Sequence, residues 1–209
     1  MPRPRSDIQP RILKAARAHF LKRGVDGASL RAIASAARTN IGMVYYYFPT
    51  KDDLFVAVVE QVYGGLLADL AALLGGADPI EVKLRRLYAR IWRMSGDEYT
   101  TVRLIMRETM VSGARVKRLS GLFQRGHVPL LLGALVEGNS AGALRDELPP
   151  IAQLVSTMAL GLLPMLVWRV AGEKVLPDFP LPPPEELGAL FAGILLDGLG
   201  RKRARPKRG

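Results

Sequence analysis

The sequence predicts an all-α protein, a short three-helix head followed by a larger helical bundle, with about nine helices in all. Three observations carry this expectation. Apolar residues recur three and four apart through most of the 209 residues, and strict alternation is scarce. Candidate caps, prolines and glycines punctuate that pattern where helices should start and stop. A hydrophobic fraction of 49% supports a real core, and cysteine is absent, which excludes disulfides, thiolate metal sites and a cysteine nucleophile.

From Pro10 onward, Ile12, Leu13, Ala16 and Phe20 form one helical stripe, closed by Lys22, Arg23 and Gly24. Ser29 caps a second, short helix carrying Leu30, Ile33, Ala34 and Ala37. After a break around Arg38 to Asn40, a third helix is expected over 41–47, stopped by Pro49. Thr50 caps a fourth, which runs from Lys51 through Leu54, Phe55, Val58, Val59 and Val62 to Leu74, before Gly75-Gly76. Asp78-Pro79-Ile80-Glu81 reads as the next start, with Asp78 as N-cap and Pro79 as first helical residue. Leu84, Leu87, Tyr88, Ile91 and Trp92 keep helical spacing after it. Further helices are expected over 98–112, 116–137, 151–170 and 185–199, with a proline-rich connector at 176–184.

Charge is unevenly placed. Of the net +11, residues 1–50 carry +7 and the last nine, RKRARPKRG, carry +6, so the 150 residues between them are nearly neutral. A polyanion is therefore expected at the front end, with a different task for the body. The tail either adds attraction to phosphates or keeps the chain soluble. No secretory signal is legible in 1–20, where charge interrupts the apolar residues, and a cytoplasmic location is expected. One stretch, 151–168, is uncharged for 18 residues but contains Gln153, Ser156, Thr157, Gly161 and Pro164. It reads as a core or interface helix rather than a membrane span. The rival reading is a small membrane-associated helical protein held by that helix and the basic tail.

No phosphate-binding loop, GxSxG, HExxH or GxGxxG motif occurs, so no enzyme and no cofactor are expected. His19 and His127 are the two histidines, too few for a multi-histidine metal site in one chain. The acid pairs Asp52-Asp53 and Glu185-Glu186 sit at helix starts and complement the helix dipole.

Residues 29–48, SLRAIASAARTNIGMVYYYF, place two short helices around a tight turn inside the basic segment. These are the ingredients of a helix-turn-helix, giving an N-terminal three-helix helix-turn-helix domain plus a C-terminal helical bundle. Ala34 lets the two helices approach, and Ile33, Ala37 and Val44 are expected in the core shared with the first helix. The second helix is then free to enter a major groove. Its surface candidates are Ile41, Gly42, Met43, Tyr45 and Tyr47, with Tyr46 and Phe48 facing inward. A tyrosine hydroxyl donates to phosphate oxygens, and at Lys51 an ammonium joins the N–H groups of a helix start. Arg31, Arg38 and Asn40 complete this candidate DNA-binding set.

On ILKAARAHFLKRG (12–24), SLRAIASAA (29–37) and GMVYYYFPTKDDL (42–54), the first quarter of the chain resembles the TetR family of bacterial transcription regulators. The resemblance implies an all-helical homodimer with a DNA-binding domain over 1–50 and an effector-binding and dimerisation domain over 51–200. The tail, 201–209, is expected to be disordered. It further implies that Tyr45, Tyr47 and Lys51 lie at the operator, with Ser29, Ile41, Gly42 and Met43 as further contacts. Arg38 stands where members usually carry Gly, and Thr39 where they carry Val. Ile41 and Met43 stand where polar residues or Thr are common, so contacts to thymine methyls are expected there rather than bidentate hydrogen bonds.

Under this resemblance the helices over 151–170 and 185–200 are the expected dimer surfaces, with Gly161, Gly188 and Gly193 allowing close approach. Trp92, Tyr99, Met106, Met110 and Phe123 are candidates to line an effector pocket, since such pockets are mostly apolar; ordinary core is the competing reading. Arg103, Arg107 and Glu108 read as solvated faces, and His127 as a satisfied core histidine. The expected function is a ligand-responsive transcriptional regulator, a repressor by the family's usual mode. It binds a palindromic double-stranded DNA operator as a homodimer and is released by a small, largely apolar effector.

Overall fold

The computed structural model describes residues 7–145, 147–174 and 182–199; the basic tail and most of the proline-rich connector lie outside the described residues. Ten helices occur among them: α1 (Ile8–Gly27), α2 (Leu30–Ala36), α3 (Ile41–Tyr47), α4 (Lys51–Leu74), α5 (Ile80–Trp92), α6 (Gly96–Val111), α7 (Gly113–Gln124), α8 (His127–Ser140), α9 (Pro150–Lys174) and α10 (Pro184–Leu199). The all-α expectation holds. The helix beyond nine arises where one was expected over 116–137. Gly126, outside helical geometry at φ −115° and ψ −115°, breaks that segment into α7 and α8. Pro129 then falls in the first turn of α8, where its missing N–H costs nothing.

At two helix starts the capping differs from the sequence reading. At α5 the N-cap is Pro79, held extended at ψ 149°, and no side chain caps the helix. Asp78 lies one residue too early to cap and instead pairs with Arg86. At α6 the helix begins at Gly96 rather than Glu98, because Ser95 and Glu98 form a reciprocal capping box.

Packing divides the chain into two compact units, Met1–Leu67 with Ser95–Phe123, and Ala68–Met94 with Gln124–Gly209. In the first unit, Ile12, Ala16 and Phe20 of α1 meet Ile33 and Ala34 of α2, Val44 of α3 and Leu54, Phe55 and Val58 of α4. Leu104 of α6 and Leu119 of α7 join the same core. Phe20 and Phe55 meet edge to face at 6.3 Å. Each fully buried aliphatic or aromatic side chain contributes about 1.5–3 kcal/mol, so this core anchors the helices that carry the site.

In the second unit α5 presents Leu84, Leu87, Tyr88, Ile91 and Trp92 as one buried face. The Tyr88 hydroxyl donates to the Thr157 carbonyl at 3.0 Å, and burial pushes that phenol well above its ordinary pKa. Trp92 stacks on Phe191 and meets Trp168 edge-on. Two glycines expected to serve copies of the chain serve this packing instead. A Cβ at Gly161 would lie 2.9 Å from Ile91 Cδ1, and one at Gly188 would lie 3.2 Å from Trp92, whereas Gly193 faces open space. On α9 and α10, Ile151, Val155, Leu163, Val167, Leu190 and Ile194 stay exposed. Lys51–Leu74 and Pro150–Val170 both have the length and apolar composition to cross a membrane, each one-third buried. The uncharged stretch 151–168 lies in the second of them.

Candidate nucleic-acid interface

The site is built on the first unit. The Ser29 hydroxyl accepts the Ala32 N–H at 3.4 Å and caps α2. At the other end, the Arg38 N–H donates to the Ser35 carbonyl and the Thr39 N–H to the Ala34 carbonyl. This is a Schellman closure, and it requires a left-handed residue at Arg38, whose φ is +52°. A side chain there costs roughly 1–2 kcal/mol that glycine would not. Arg11 of α1 lies over the same turn. Its Nη1 donates to the Ala37 carbonyl at 2.9 Å and reaches the Arg38 carbonyl at 3.4 Å. Asn40 Oδ1 then accepts the Met43 N–H at 2.9 Å and starts α3. Ser29 and Asn40, both candidate DNA contacts, therefore spend side-chain acceptors on caps; both remain exposed.

Helix α3 turns Val44 and Phe48 into the core. Ile41 and Tyr47 flank them, half-buried and packed against the same core. Tyr46 does not face inward as expected: it is 77% exposed, more than Tyr45 at 51%. At 100° per residue, Tyr46 lies some 200° around the helix from Val44. The side chains left for a groove are Met43, Tyr45 and Tyr46, beside the bare backbone of Gly42 and near exposed Arg31 and Arg38.

Thr50 and Asp53 form the cap of α4. The Asp53 N–H donates to Thr50 Oγ1 at 3.1 Å, and the Thr50 N–H donates to Asp53 Oδ2 at 3.0 Å. Hydrogen bonds from Thr50 and from Arg118 hold the Asp53 carboxyl below its ordinary pKa. Lys51 donates one of its three N–H groups to the Asp26 carbonyl at 2.9 Å. Asp52 and Asp53 do more than complement the dipole, since each is paired with an arginine of α7, Arg115 and Arg118.

Behind this turn lies a charged cluster that the sequence reading missed. Glu108, read as solvated, is 2% exposed. Its Oε1 accepts the Val25 N–H at 3.1 Å, a group freed where Gly24 breaks α1 at φ +75° and ψ 172°. Its Oε2 accepts from Arg115 Nη1 at 2.7 Å. Arg115 also donates from Nε to Asp52 at 3.0 Å and from both terminal nitrogens to Asp26. Those bonds hold the Asp26 carboxyl below its ordinary value of 3.8. Its partners lie 7 to 89 residues away in sequence, so no local spacing announces them.

The five effector-pocket candidates are divided between the two units. Trp92 belongs to the second unit and the other four to the first. Met110 is 81% exposed, Tyr99 lies under the Arg103 guanidinium, and Phe123 packs on Tyr63. The second unit has a cavity of about 240 Å³ beside Ile80, Lys83, Ala134 and Glu137. It also has a groove of about 460 Å³ beside Leu73, Arg86, Arg90 and Arg93. None of the five borders either one. His127 is half-buried, and desolvation lowers its pKa, so it is neutral at pH 7. No group of three or more metal-ligating side chains occurs among the described residues.

Residues 12–58 match the family model for bacterial regulatory proteins of the tetR family. The chain is 33% identical over 140 residues to the HTH-type transcriptional repressor NicS of Pseudomonas putida, an alignment spanning 66% of each protein. Its fold matches that of the transcriptional regulator FadR from Bacillus subtilis in complex with stearoyl-CoA, with a TM-score of 0.76 at 16% identity, covering 90% of this chain and 98% of the other. It also matches NalD, the secondary repressor of the MexAB-OprM multidrug efflux pump in Pseudomonas aeruginosa, with a TM-score of 0.74 at 22% identity, covering 95% of this chain and 99% of the other. At those identities the likeness is one of fold.

Proposed function

As the chain belongs to the tetR family of bacterial regulatory proteins, we propose that it is a ligand-responsive transcriptional repressor that binds a palindromic operator as a homodimer. The observation that carries this reading is α3. It is capped at Asn40, seated by Val44 and Phe48, and leaves Gly42, Tyr45 and Tyr46 exposed and Met43 partly exposed at the basic end of the chain. Met43 offers thymine methyls an apolar contact, and the tyrosine hydroxyls, Lys51, Arg31 and Arg38 offer donors to phosphates. One such helix reads few bases, so two copies related by a twofold axis read half-sites on successive turns. The exposed apolar rows of α9 and α10 are the surfaces proposed to join them. Repression is the reading supported by the NicS name. Family membership also favours a cytoplasmic regulator over the membrane-anchored alternative.

The effector is proposed to be a small, largely apolar molecule; the ligand of the FadR structure, stearoyl-CoA, shares an apolar chain with that class but not its polar coenzyme A part. The effector's route to DNA runs through α4, which only the three residues Phe48-Pro49-Thr50 separate from α3. Ligand and operator then weaken each other's binding by the same factor, about 5–150-fold for a typical coupling of 1–3 kcal/mol. The test is selection from random duplexes followed by footprinting. A palindrome protected on both half-sites is expected. A single asymmetric half-site at all protein concentrations overturns the dimer reading, and no selected duplex at low salt overturns the DNA-binding reading.

A further inference from the structure

Arg115 is enclosed, with its side chain 6% exposed, by three carboxylates from three other helices: Asp26 of α1, Asp52 of α4 and Glu108 of α6. Four of the five guanidinium N–H groups are directed at carboxylate oxygens. Such an arrangement is a poor source of net stability, because desolvating the charges offsets their attraction. The apolar core beneath it, Leu54, Phe55 and Val58 with Leu104 and Leu119, already holds these helices together. What the planar fork adds is geometry, since it accepts its partners only in fixed directions.

The place where that geometry is imposed bears on α3. Asp52 is the second residue of α4, and only Phe48-Pro49-Thr50 separate α4 from α3. Phe48 is buried and Pro49 has a fixed φ, so a displaced first turn of α4 carries α3 with it. Lys51 strengthens the hold by donating to the Asp26 carbonyl, which ties the same turn of α4 to the same end of α1. Glu108 ties α6 to the neighbouring residue, Val25.

We propose that Arg115 is the positioning residue for DNA readout: by fixing the first turn of α4 against the end of α1, it sets the pitch at which α3 meets a major groove. The inference rests on the DNA-binding reading, and it assigns a role to a residue of α7, distant from the helix-turn-helix in sequence. Arg115 touches no base, so its loss weakens binding without changing which bases are preferred.

The experiment compares wild type, Asp52→Asn and Arg115→Lys, with Arg86→Gln as a control that removes an exposed ion pair in the other unit. Asp52→Asn leaves the buried Arg115 still paired with Asp26 and Glu108, so no buried charge is stranded. Arg115→Lys keeps the charge but not the fork. Three quantities are read: thermal midpoint, amide exchange over 41–54, and affinity for the selected operator and its single-base variants. Both variants should lose about tenfold in affinity with base preference unchanged, and 41–54 should exchange faster. The midpoint of Asp52→Asn should stay within a few degrees of wild type. Affinity equal to the control, with or without faster exchange, overturns the proposal. So does a loss fully explained by a lower fraction folded at the assay temperature. A wild-type chain that binds no duplex defeats the DNA-binding reading separately, and exchange over 41–54 then still reports whether Arg115 holds the turn.

Discussion

Arg11 and Arg38 meet across the turn between α2 and α3. The first donates to the carbonyls of Ala37 and Arg38, and the second holds the left-handed conformation, φ +52°, that closes α2. Two positively charged side chains thus share one turn, one of them in a conformation suited to glycine. The bonds from Arg11 satisfy carbonyls at the C-terminal end of α2 and offset the strain at Arg38.

Replacing Arg11 with Ala should therefore destabilise the chain by about 1–2 kcal/mol, since hydrogen bonds from a charged donor are worth somewhat more than neutral ones. Arg38→Gly should be neutral or stabilising by up to roughly 1 kcal/mol, relief of strain being partly cancelled by glycine's larger entropy loss. In the Arg38→Gly background the Arg11→Ala loss should shrink. Urea denaturation of all four members of the cycle measures the coupling, and strictly additive losses would mean that Arg11 acts independently of the turn's strain.

Base preference and overall affinity should separate along the interface. Met43→Ala should change which bases are preferred at one or two positions of the half-site, as expected of a side chain that meets base edges. Lys51→Ala should weaken all operator variants alike and lower the salt slope by roughly one unit, as expected of a phosphate contact. Ile41→Ala should also lower stability, because Ile41 packs against the core. Binding titrations on single-base operator variants at several salt concentrations decide between these roles; a Lys51→Ala variant with altered base preference reverses them.

The acid limb of stability should report the charged cap and cluster. Asp26 and Asp53 both titrate below their ordinary value of 3.8 in the folded chain, through bonds from Arg115 and from Thr50 and Arg118. A carboxyl with a lowered folded-state pKa stabilises the fold above its unfolded pKa and loses that contribution as pH falls through the folded value. The melting temperature should accordingly drop below about pH 4, and the drop should be shallower in Asp53→Asn. Melting curves between pH 2 and 6 check this, and identical acid limbs in the two proteins would contradict it.

What was legible in the sequence follows the range of the forces involved. Ser29 and Thr50 are local signals, and each caps the helix expected of it; Asn40, read as part of a break and as a DNA contact, also proves to be a cap. Ile33, Ala37 and Val44 obey helical periodicity and lie in the core. Tyr46 was misplaced because three tyrosines in a row cannot be ordered by composition; the angle from Val44 orders them. The Ser95–Glu98 box is a local signal that sets the start of α6; Gly126, between Arg125 and His127 and three residues before Pro129, is a local break signal as well, and α7 ends and α8 begins around it. Arg115 and Glu108 could not be found this way. Their partners come from separate helices, and an arginine or glutamate on a helix reads as solvated until its tertiary neighbours are known.

Gly24 should tolerate no side chain, for two separable reasons. Its φ of +75° and ψ of 172° lie where a side chain is strained in any surroundings. A Cβ there would also lie 2.7 Å from Arg107 Nη2 and 3.3 Å from Glu108 Oε1. The Arg107 side chain is about half exposed and can swing away. Glu108 cannot, because its carboxylate is bound to both Val25 and Arg115. Gly24→Ala should therefore cost about 1–3 kcal/mol from strain, and more if Glu108 is displaced. Adding Arg107→Ala should recover only a small part of that loss. If Glu108 is displaced, the end of α1 loosens, and amide exchange at Val25 should accelerate beyond what the change in global stability explains. Stability measured by urea and exchange at Val25 together test the argument, and full recovery in the double variant would show that the clash with Arg107, not the backbone, is what excludes a side chain.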